Sequence, residues 1–418
     1  MQISILHYAA PPIVGGVEST IYHHARLLSK AGYEVSIIAG RGAASNDSIP
    51  FILIPEIDSR HPEVMRVGKQ LATGKVTEDF NYLREGLFKS LSAKLIDTDV
   101  LIVHNAVTLH KNLALTAALK KIADQPRPRL LAWCHDFAWQ DSLYTPELHP
   151  GYPWDLLKTA WKGVDYIAVS DHRKQRLAEL LDLQPDQILV IPPGVDAYQF
   201  YNLSKLGQKF VDHNQLFESE PIILLPARIT RRKNIEFAIR IIAHLKKYYP
   251  QAALVITGPP GPHNPKNMEY LDSLLEMRAS MQLIRNIYFV YQLQGEDETF
   301  NAPDGFIFEL YRISDLVLFP SLREGFGIPV LETGLARIPI FASDIPPVRE
   351  SSAGMINLFD PTGDPEQVAN MIYKYLETDN SYQFRRHVLT NFTWQSIVEN
   401  KIIPLLQESG TIANDKQQ

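Results

Sequence analysis

The stretch from Ser314 to Arg349 constrains the fold more strongly than any other part of this sequence. It begins with a short apolar run, Asp315 to Phe319, which is typical of a buried parallel strand. A tight glycine turn, Glu324 to Gly327, follows, and Pro329 suits the first residue of a helix. This order predicts an anion-binding site, because free backbone N–H groups and the positive end of the helix dipole point at whatever lies above the turn.

Two carboxylates flank that turn, Glu324 within it and Glu332 in the following helix. A carboxylate is a poor phosphate ligand, so it would accept hydrogen bonds from hydroxyl groups of the same ligand, which indicates a phosphorylated sugar. Either glutamate alone is explained as well by the preference of acids for helix N-termini. As a pair around Gly-Phe-Gly-Ile-Pro, they closely resemble the Glu-x7-Glu signature of retaining glycosyltransferases with the GT-B fold, the large family 4.

The composition favours a globular protein of two domains over a nucleic-acid binder. The chain has 418 residues, too many for one core and enough for two domains of about 200 residues each. Its net charge of −6 argues against nucleic-acid binding, which usually needs a basic domain. The single cysteine, Cys134, excludes an internal disulfide, and its place at the end of an apolar run favours a small buried hydrophobe over a nucleophile.

The sequence predicts a cytoplasmic protein. The first residues, Met1 to Leu6, lack the basic start of a signal peptide and predict a strand. No apolar run approaches the roughly 18 residues of a transmembrane helix. Basic residues gather near 120–129 and 173–176, but acids are interspersed, so we interpret these as solvated faces. Contact with the cytoplasmic face of a membrane is therefore expected to be peripheral at most, and the oligomeric state is not indicated.

Apolar runs alternate with helical patterns twice along the chain, which predicts an α/β protein with two parallel sheets. The predicted strands of the first half are Ile3–Tyr8, Val35–Ala39, Phe51–Ile54, Val100–His104, Arg129–Cys134, Tyr166–Val169 and Ile188–Ile191. Those of the second half are Ile222–Pro226, Ala253–Thr257, Ile287–Tyr291, Leu316–Phe319 and Ile338–Phe341. The resemblance implies the GT-B fold, in which two Rossmann-like doubly wound domains face a central cleft.

The domain boundary is predicted at Pro192 to Asp196, where turn-forming residues are concentrated. The predicted domains are residues 1–196 and 197–391. An amphipathic helix with Thr393 as its N-cap is expected over 392–409, and residues 410–418 are expected to be disordered. The resemblance implies that the first domain binds the acceptor, that the second binds the nucleotide sugar, and that the last helix crosses back to the first domain.

Four cations fall within six residues at a strand-to-helix junction, namely Arg228, Arg231, Arg232 and Lys233. Their mutual repulsion is unfavourable unless an anion lies nearby, and a diphosphate would satisfy that need. Arg231 and Arg232 fit an ordinary solvated helix start, whereas Arg228 at a helix N-terminus opposes the dipole. The stretch resembles the Arg-x4-Lys pair of the family, which implies that Arg228 and Lys233 bind the pyrophosphate and stabilise the departing nucleoside diphosphate.

His135 and Asp136 follow the strand that ends at Cys134. Ligands bind at the carboxyl ends of strands in such folds, so a functional and a structural role for His135 are equally supported by its position alone. The resemblance implies that His135 contacts the transferred sugar, with Asp136 a weaker candidate. His104 ends another strand and would either shape the acceptor pocket or belong to the core.

Two glycines, Gly15 and Gly16, occupy the first strand-to-helix turn. The spacing is not that of a dinucleotide fingerprint. The resemblance implies that this loop approaches the donor phosphate, which only glycine would permit. Glu18, just inside the helix, is explained by the helix dipole.

No spacing of histidines, cysteines or acids predicts a metal site, so metal-independent catalysis is expected, with no cofactor beyond the UDP- or GDP-sugar substrate. The resemblance implies retention at the anomeric carbon, with Glu324 holding sugar hydroxyls and Glu332 ribose hydroxyls. The predicted catalytic residues are Glu324, His135, Arg228 and Lys233. The predicted donor-binding residues are Gly15, Gly16, Arg228, Lys233, Glu324, Gly325, Phe326, Gly327 and Glu332.

The sequence departs from the family pattern at two positions where glycine is usual, Asn234 and Arg337. The segments Gly261–Asn267 and Gln292–Pro303 are also unusual, so the sugar and the base stay undetermined. The predicted function is transfer of a hexosyl group from a nucleoside-diphosphate sugar to a hydroxyl of a glycan, polysaccharide intermediate, glycolipid or small glycoside. A sugar-nucleotide epimerase of the same architecture and a catalytically silent nucleotide-sugar-binding protein are the alternatives.

Overall fold

The computed structural model describes residues 1–44, 49–261, 266–294 and 302–408. It divides into two compact units, one formed by Met1–Val195 with the segment from Phe392 onward, the other by Asp196–Asn391. The predicted disordered tail, 410–418, lies outside the described residues. So do 262–265 and 295–301, which form much of the two unusual segments.

The first unit is built on a parallel sheet whose described strands have the order β3-β2-β1-β4-β5-β6-β7. The strands are β1 (Gln2–His7), β2 (Glu34–Ala39), β3 (Phe51–Leu53), β4 (Val100–His104), β5 (Arg129–Cys134), β6 (Val164–Ala168) and β7 (Ile188–Val190). Helices α1 (Gly16–Lys30), α2 (Pro62–Leu71), α3 (Glu78–Lys94), α4 (Leu113–Ala123) and α5 (Asp171–Leu181) belong to this unit. Because helices cover parallel sheets on both faces, strands such as β4 are buried along their whole length.

The second unit repeats this plan, with described strands in the order β10-β9-β8-β11-β12-β13. The strands are β8 (Ile222–Leu225), β9 (Ala253–Ile256), β10 (Ile287–Phe289), β11 (Leu316–Phe319), β12 (Ile340–Ser343) and β13 (Asn357–Phe359). The helices are α6 (Ala197–Phe200), α7 (Lys205–His213), α8 (Ile235–Leu245), α9 (Lys266–Ser280), α10 (Asp304–Ile313), α11 (Ile328–Ala336), α12 (Pro346–Ser352), α13 (Pro365–Thr378) and α14 (Asn380–Asn391). The predicted α/β architecture of two doubly wound parallel sheets is confirmed.

The chain from Phe392 onward packs within the first unit. Thr393 caps α15 (Trp394–Ile397) by accepting a hydrogen bond from the backbone N–H of Ser396 at 3.2 Å. A π-helical turn over Val398–Ile402 separates α15 from α16 (Ile403–Gln407). Trp394 is 5% exposed and its ring stacks on His23 with centroids 5.1 Å apart. The segment therefore contributes its apolar face to the core beside α1.

The structure differs from the sequence predictions in several local details. The helix after the glycine turn begins at Ile328, so Pro329 is its second residue and not its first. For the polar and irregular region 55–79 the sequence left open a long loop or a small helical excursion, and the structure has a helix there, α2, because Val64, Val67 and Leu71 form a buried face at helical spacing. Strand β13 was not predicted, because a three-residue strand with two half-buried positions leaves little periodicity.

Candidate active site

The strand order of the second unit brings the predicted cations and one predicted carboxylate together. From β8, the strands that follow in sequence extend to one side of the sheet as far as β10, and the chain then returns to place β11 on the other side of β8. Ligands bind outside the carboxyl ends of the strands at such a switch point. The segment Arg228–Lys233 follows β8, and Glu324 follows β11. Because the two strands pair in parallel, both segments emerge at the same edge of the sheet.

Lys233 and Glu324 form a buried ion pair at this edge. The Nζ of Lys233 lies 2.5 Å from Oε1 of Glu324, and the two side chains are only 9% and 7% exposed. Arg232, which is half exposed, reaches the other carboxylate oxygen of Glu324 at 3.2 Å. A backbone hydrogen bond of 2.8 Å from the N–H of Leu322 to the carbonyl of Arg232 fastens the two segments to each other. The pair is thus fixed by both side chains and backbone.

Burial and charge act on this pair in opposite directions. Burial tends to raise the pKa of Glu324, but the hydrogen bond and charge of Lys233, with the charge of Arg232, hold it below its ordinary value. For Lys233 burial is the largest effect and lowers the pKa, although Glu324 opposes it. Glu324 is therefore ionised at neutral pH, and Lys233 lies where an additional anion would stabilise its charge.

Arg228 has a different environment from Lys233. Its side chain is exposed, and it makes no hydrogen bond or ion pair with the other residues that the structure describes. Its backbone is packed closely, because a Cβ on Gly258 would come within 2.6 Å of the Arg228 Cα. Only glycine fits at position 258, and this close backbone contact fixes the position of the Arg228 Cα, from which the side chain extends. The guanidinium is thus available to a ligand.

The turn before α11 offers unpaired backbone donors. Within the described residues, the N–H groups of Gly325, Phe326, Gly327 and Ile328 have no hydrogen-bond acceptor. Gly327 has a φ of +91°, a conformation that favours glycine, and this directs the chain into the helix. The structure therefore has free amides at the start of this helix, and anion binding there stays a prediction.

Glu332 makes a side-chain hydrogen bond that the sequence did not suggest. Its Oε2 accepts a hydrogen bond of 2.8 Å from the hydroxyl of Tyr311 on α10. Tyr311 is 3% exposed, and burial, followed by the neighbouring Glu332, raises its pKa. The phenol therefore stays protonated and donates, which fixes the carboxylate and leaves its other oxygen for a ligand.

Both departures from the family pattern lie at left-handed backbone positions. Asn234, between Lys233 and α8, has a φ of +53°, and Arg337, after α11, has a φ of +59°. Asparagine tolerates this conformation, and its side-chain amide donates to the carbonyl of Pro361 at 3.0 Å. Arg337 is the C-cap of α11, and its backbone N–H donates to the carbonyl of Gly334 at 3.2 Å. Both positions thus have the left-handed backbone conformation that glycine adopts most easily.

The remaining predicted residues lie in the first unit, where the strand order changes direction between β1 and β4 and where β5 is the next strand after β4. His135 follows β5 and is half-buried, with Nε2 3.1 Å from Nδ1 of His104, the last residue of β4. Asn105 fixes the backbone of this segment, because its Oδ1 accepts from the N–H groups of His135 at 2.8 Å and Asp136 at 3.2 Å. Asp136 itself is exposed and pairs with Arg173 at 3.4 Å, which supports a structural role.

His7 belongs to the same cluster and was missed by sequence reasoning. It is the last residue of β1, the strand that precedes the glycine loop, and its Nδ1 donates to the carbonyl of His104 at 3.0 Å. The signal that pointed to His135, a histidine at the carboxyl end of a parallel strand, applies equally to His7. Burial is the main reason why the pKa of His7 lies below its ordinary value.

The two glycines of the glycine loop differ in the space beside them. A Cβ on Gly15 would lie 2.1 Å from a carboxylate oxygen of Glu18, which is the end of a flexible side chain and could move away. A Cβ on Gly16 would meet no atom within 4 Å. The described chain thus gives no steric reason for Gly16, and the space beside it is open.

Acid is expected to destabilise the first unit. The pKa values of His24 and His135 are about 3 and about 4, because burial, and then nearby cationic groups, disfavour their charged forms. As the pH falls through about 6.5, these two histidines become protonated in the unfolded chain but stay neutral in the folded chain. Stability should thus be full above pH 6.5 and fall towards pH 4, by about 2 kcal/mol for each of these histidines at pH 5.

Thermal unfolding of the full chain at pH 7.5 and pH 5 measures this effect. The variant His24→Phe removes one of the two groups and should lose less stability between these pH values than the wild type. Equal unfolding free energies of the wild type at both pH values would contradict the expected proton linkage.

Two further features concern metals and membranes. The described residues contain no group of three or more histidine, cysteine or acidic side chains that could hold a metal ion. Among the same residues, none of the helices combines the length and the apolarity needed to cross a bilayer. Cys134 is buried, and burial raises the pKa of its thiol to about 12, which makes it a poor nucleophile.

Comparison with known proteins finds similarity along most of the chain. The family model described as Glycosyltransferase Family 4 matches residues 14–199, and the model described as Glycosyl transferases group 1 matches residues 208–387. Mannosylglucosylglycerate synthase of Petrotoga mobilis is 24% identical over 384 residues, which cover 84% of each chain. The enzyme of the same name from Thermotoga maritima is 24% identical over 83% of each chain. Alpha-monoglucosyldiacylglycerol synthase of Acholeplasma laidlawii is 24% identical over 81% of this chain and 79% of its own.

The two family models adjoin one another and follow the two units of the structure. The chain therefore belongs to glycosyltransferase family 4, the retaining GT-B enzymes that transfer a sugar from a nucleotide sugar to an acceptor.

Proposed function

We propose that the second unit, residues 197–391 in the sequence-based division, binds the nucleotide sugar at the edge where β8 and β11 end. The observation that carries this proposal is the buried pair of Lys233 and Glu324 beside the free amides of Gly325 to Ile328. A diphosphate would lie against these amides and the cations Arg228 and Lys233. The charged and main-chain donors of this edge match two adjacent phosphate groups.

The two carboxylates take the hydroxyl groups of the same ligand. Glu332 is fixed by Tyr311 at 2.8 Å, and its free oxygen would accept from the ribose hydroxyls. Glu324 would accept from the hydroxyls of the transferred sugar. From the first unit, His135 contacts the transferred sugar and the open space at Gly16 admits the donor phosphate. These assignments follow the family resemblance.

The chemistry assigned to Lys233 and Arg228 is stabilisation of the leaving group. As the bond between sugar and phosphate breaks, negative charge grows on the nucleoside diphosphate, and preorganised cations lower the energy of that state. Burial lowers the pKa of Lys233 in the free protein, so a diphosphate beside it would raise the pKa again and secure the cation. Glu324 supplies the counter-charge before the ligand arrives.

Retention requires that the new bond forms on the face from which the diphosphate departs. We propose that the departing phosphate oxygen accepts the proton of the acceptor hydroxyl, while that hydroxyl attacks the anomeric carbon on the same face. The sugar–phosphate bond breaks and the sugar–acceptor bond forms, with the proton carried away on the nucleoside diphosphate. A glycosidase-like route would need two carboxyl groups about 5 Å apart around the sugar. Glu324 is instead paired with Lys233.

We propose a hexosyl unit from a UDP- or GDP-sugar as the group transferred, and a hydroxyl of a small glycoside, a glycolipid or a glycan intermediate as the acceptor, bound by the first unit. The names of two relatives, mannosylglucosylglycerate synthase and alpha-monoglucosyldiacylglycerol synthase, describe one small glycoside and one glycolipid. Both product classes carry hydroxyl groups that could serve as the acceptor.

Incubation of the purified protein with UDP- and GDP-hexoses, with and without candidate acceptors, tests the function. We expect acceptor-dependent release of the nucleoside diphosphate and a product whose anomeric proton coupling shows the α configuration of the donor. An epimerised nucleotide sugar in the absence of acceptor would establish the epimerase alternative. Nucleotide-sugar binding without turnover of any donor would favour the silent binding protein.

Removal of divalent metal should leave activity nearly unchanged. Arg228, Lys233 and the amides before α11 supply the positive charge that a metal ion would otherwise bring to the diphosphate. Initial rates measured after dialysis against EDTA should stay within about twofold of the untreated enzyme. A loss that Mg²⁺ or Mn²⁺ restores would contradict the role assigned to these residues.

A further inference from the structure

His104 lies behind His135 and has no direct place in the proposed chemistry. Its side chain is fully buried at the end of β4, and its Nδ1 lies 3.1 Å from Nε2 of His135. A hydrogen bond between two neutral imidazoles needs one protonated and one unprotonated nitrogen. The contact therefore fixes the tautomers of both rings together.

Both rings are neutral at physiological pH. Burial, and then the charges of other histidines, hold the pKa of His104 well below its ordinary value. Burial, followed by the effects of His7 and Arg173, lowers the pKa of His135 to about 4. Each ring therefore carries a single proton, on either Nδ1 or Nε2.

Two proton arrangements satisfy the contact. In the first, His104 is protonated on Nδ1 and donates to Nε2 of His135. In the second, His104 is protonated on Nε2 and accepts from His135. Among the described residues, Nε2 of His104 is buried without a partner, so the second arrangement would leave a buried N–H without an acceptor. A buried N–H without an acceptor is rarer in proteins than an acceptor without a donor, and the first arrangement is favoured.

The backbone around both rings is also held in place. Asn105 has a φ of +60° and accepts hydrogen bonds from the N–H groups of His135 and Asp136. The carbonyl of His104 accepts from Nδ1 of His7 at 3.0 Å. The distance between the rings of His104 and His135 is thus set by three strands, β1, β4 and β5, and not by a mobile loop.

We propose that His104 is a positioning residue that keeps His135 in the tautomer with its proton on Nδ1. The Nε2 lone pair of His135 is occupied by His104, while its Nδ1 makes no hydrogen bond with the described residues. A ligand therefore meets an N–H donor, which matches a sugar hydroxyl or a phosphate oxygen. This inference rests on the proposed role of His135 as a contact to the nucleotide sugar.

Nitrogen-15 NMR of the imidazole side chains in the full-length protein tests the proposal without any ligand. In the wild type we expect His135 to show a protonated Nδ1 and an unprotonated Nε2. In His104→Asn, whose amide N–H can replace Nδ1, the same tautomer should persist. In His104→Phe, which has no donor, His135 should change to the other tautomer or to a mixture. His24→Phe is the matched control, because His24 is equally buried and its ring lies 5.8 Å from that of His104.

Kinetics separate positioning from a general loss of structure. We expect kcat/KM for the nucleotide sugar to fall about 10- to 100-fold in His104→Phe and to recover to within about threefold of wild type in His104→Asn. His24→Phe should resemble the wild type in this assay. A wild-type His135 protonated on Nε2, or equal activity of the Phe and Asn variants at position 104, would overturn the proposal. Unchanged kcat/KM in His135→Ala would instead overturn the proposed role of His135, whatever its tautomer.

Discussion

Replacing Lys233 by alanine is expected to lower kcat/KM for the nucleotide sugar by roughly 10²- to 10³-fold. The substitution removes a cation that is oriented before the ligand arrives, since its Nζ already lies 2.5 Å from Glu324 in a site that is nearly closed to water. Charge stabilisation is strongest in such a preorganised and partly dry environment. Steady-state kinetics with the preferred donor measure the loss.

The same substitution leaves the carboxylate of Glu324 without its main partner. Breaking a buried pair from one side costs about 3–5 kcal/mol, although Arg232 at 3.2 Å will compensate in part. The double variant Lys233→Ala with Glu324→Gln should recover stability and not activity. This contrast separates a structural from a catalytic effect.

Arg231→Ala is the matched control for Lys233→Ala. Arg231 is a neighbouring cation, but its guanidinium lies 5.0 Å from the ring centre of Tyr270 and not against Glu324. We expect its removal to change kcat/KM by less than about threefold. Comparable losses of kcat/KM in both variants would mean that the basic segment acts through its total charge and not through Lys233 in particular. Wild-type rates in Lys233→Ala would contradict the assignment of Lys233 to the donor site.

Replacing Trp394 by alanine is expected to lower the free energy of unfolding of the first unit by about 4 kcal/mol. The indole is 5% exposed, stacks on His23 at 5.1 Å and meets His24 edge-on at 5.5 Å. A Cβ on Gly194 would also lie 2.8 Å from the backbone nitrogen of Trp394, so the chain here is packed without spare room. Alanine would leave a large cavity that these fixed neighbours cannot close.

Chemical unfolding followed by circular dichroism measures this loss. The second unit does not contain Trp394, so it is expected to unfold at an unchanged denaturant concentration and to provide an internal reference. Trp394→Phe keeps an aromatic ring and should lose less than half as much stability. A loss below about 1 kcal/mol for Trp394→Ala would show that the segment from Phe392 onward is not part of the cooperative core.

The fold was predictable where strands are buried on both faces. Runs such as Val100–His104 and Leu316–Phe319 have the same bounds in the structure, because a parallel strand between helices is apolar throughout. The π-helical turn at Val398–Ile402 was not predictable, since its apolar residues continue the pattern of an ordinary helix. The local sequence thus predicts which helices and strands form more reliably than it predicts where they end or bend.

The candidate site was predictable only where a motif is local. Glu324 and Glu332 share one strand–turn–helix segment, so their spacing carried the signal. Tyr311 and His104 act through partners distant in the chain, and no pattern within one segment reveals the contacts Tyr311–Glu332 or His104–His135. The left-handed backbone at Asn234 was likewise hidden, because asparagine also occurs in ordinary turns.

A crystal structure of the protein soaked with UDP, and in parallel with GDP, tests the central claim most directly. The account predicts that one of these nucleotides binds to the second unit with its diphosphate within hydrogen-bond distance of Lys233, Arg228 and the amides of Gly325 to Ile328, and with its ribose against Glu332. A diphosphate bound elsewhere, with the Lys233–Glu324 pair untouched and these amides facing solvent, would contradict it.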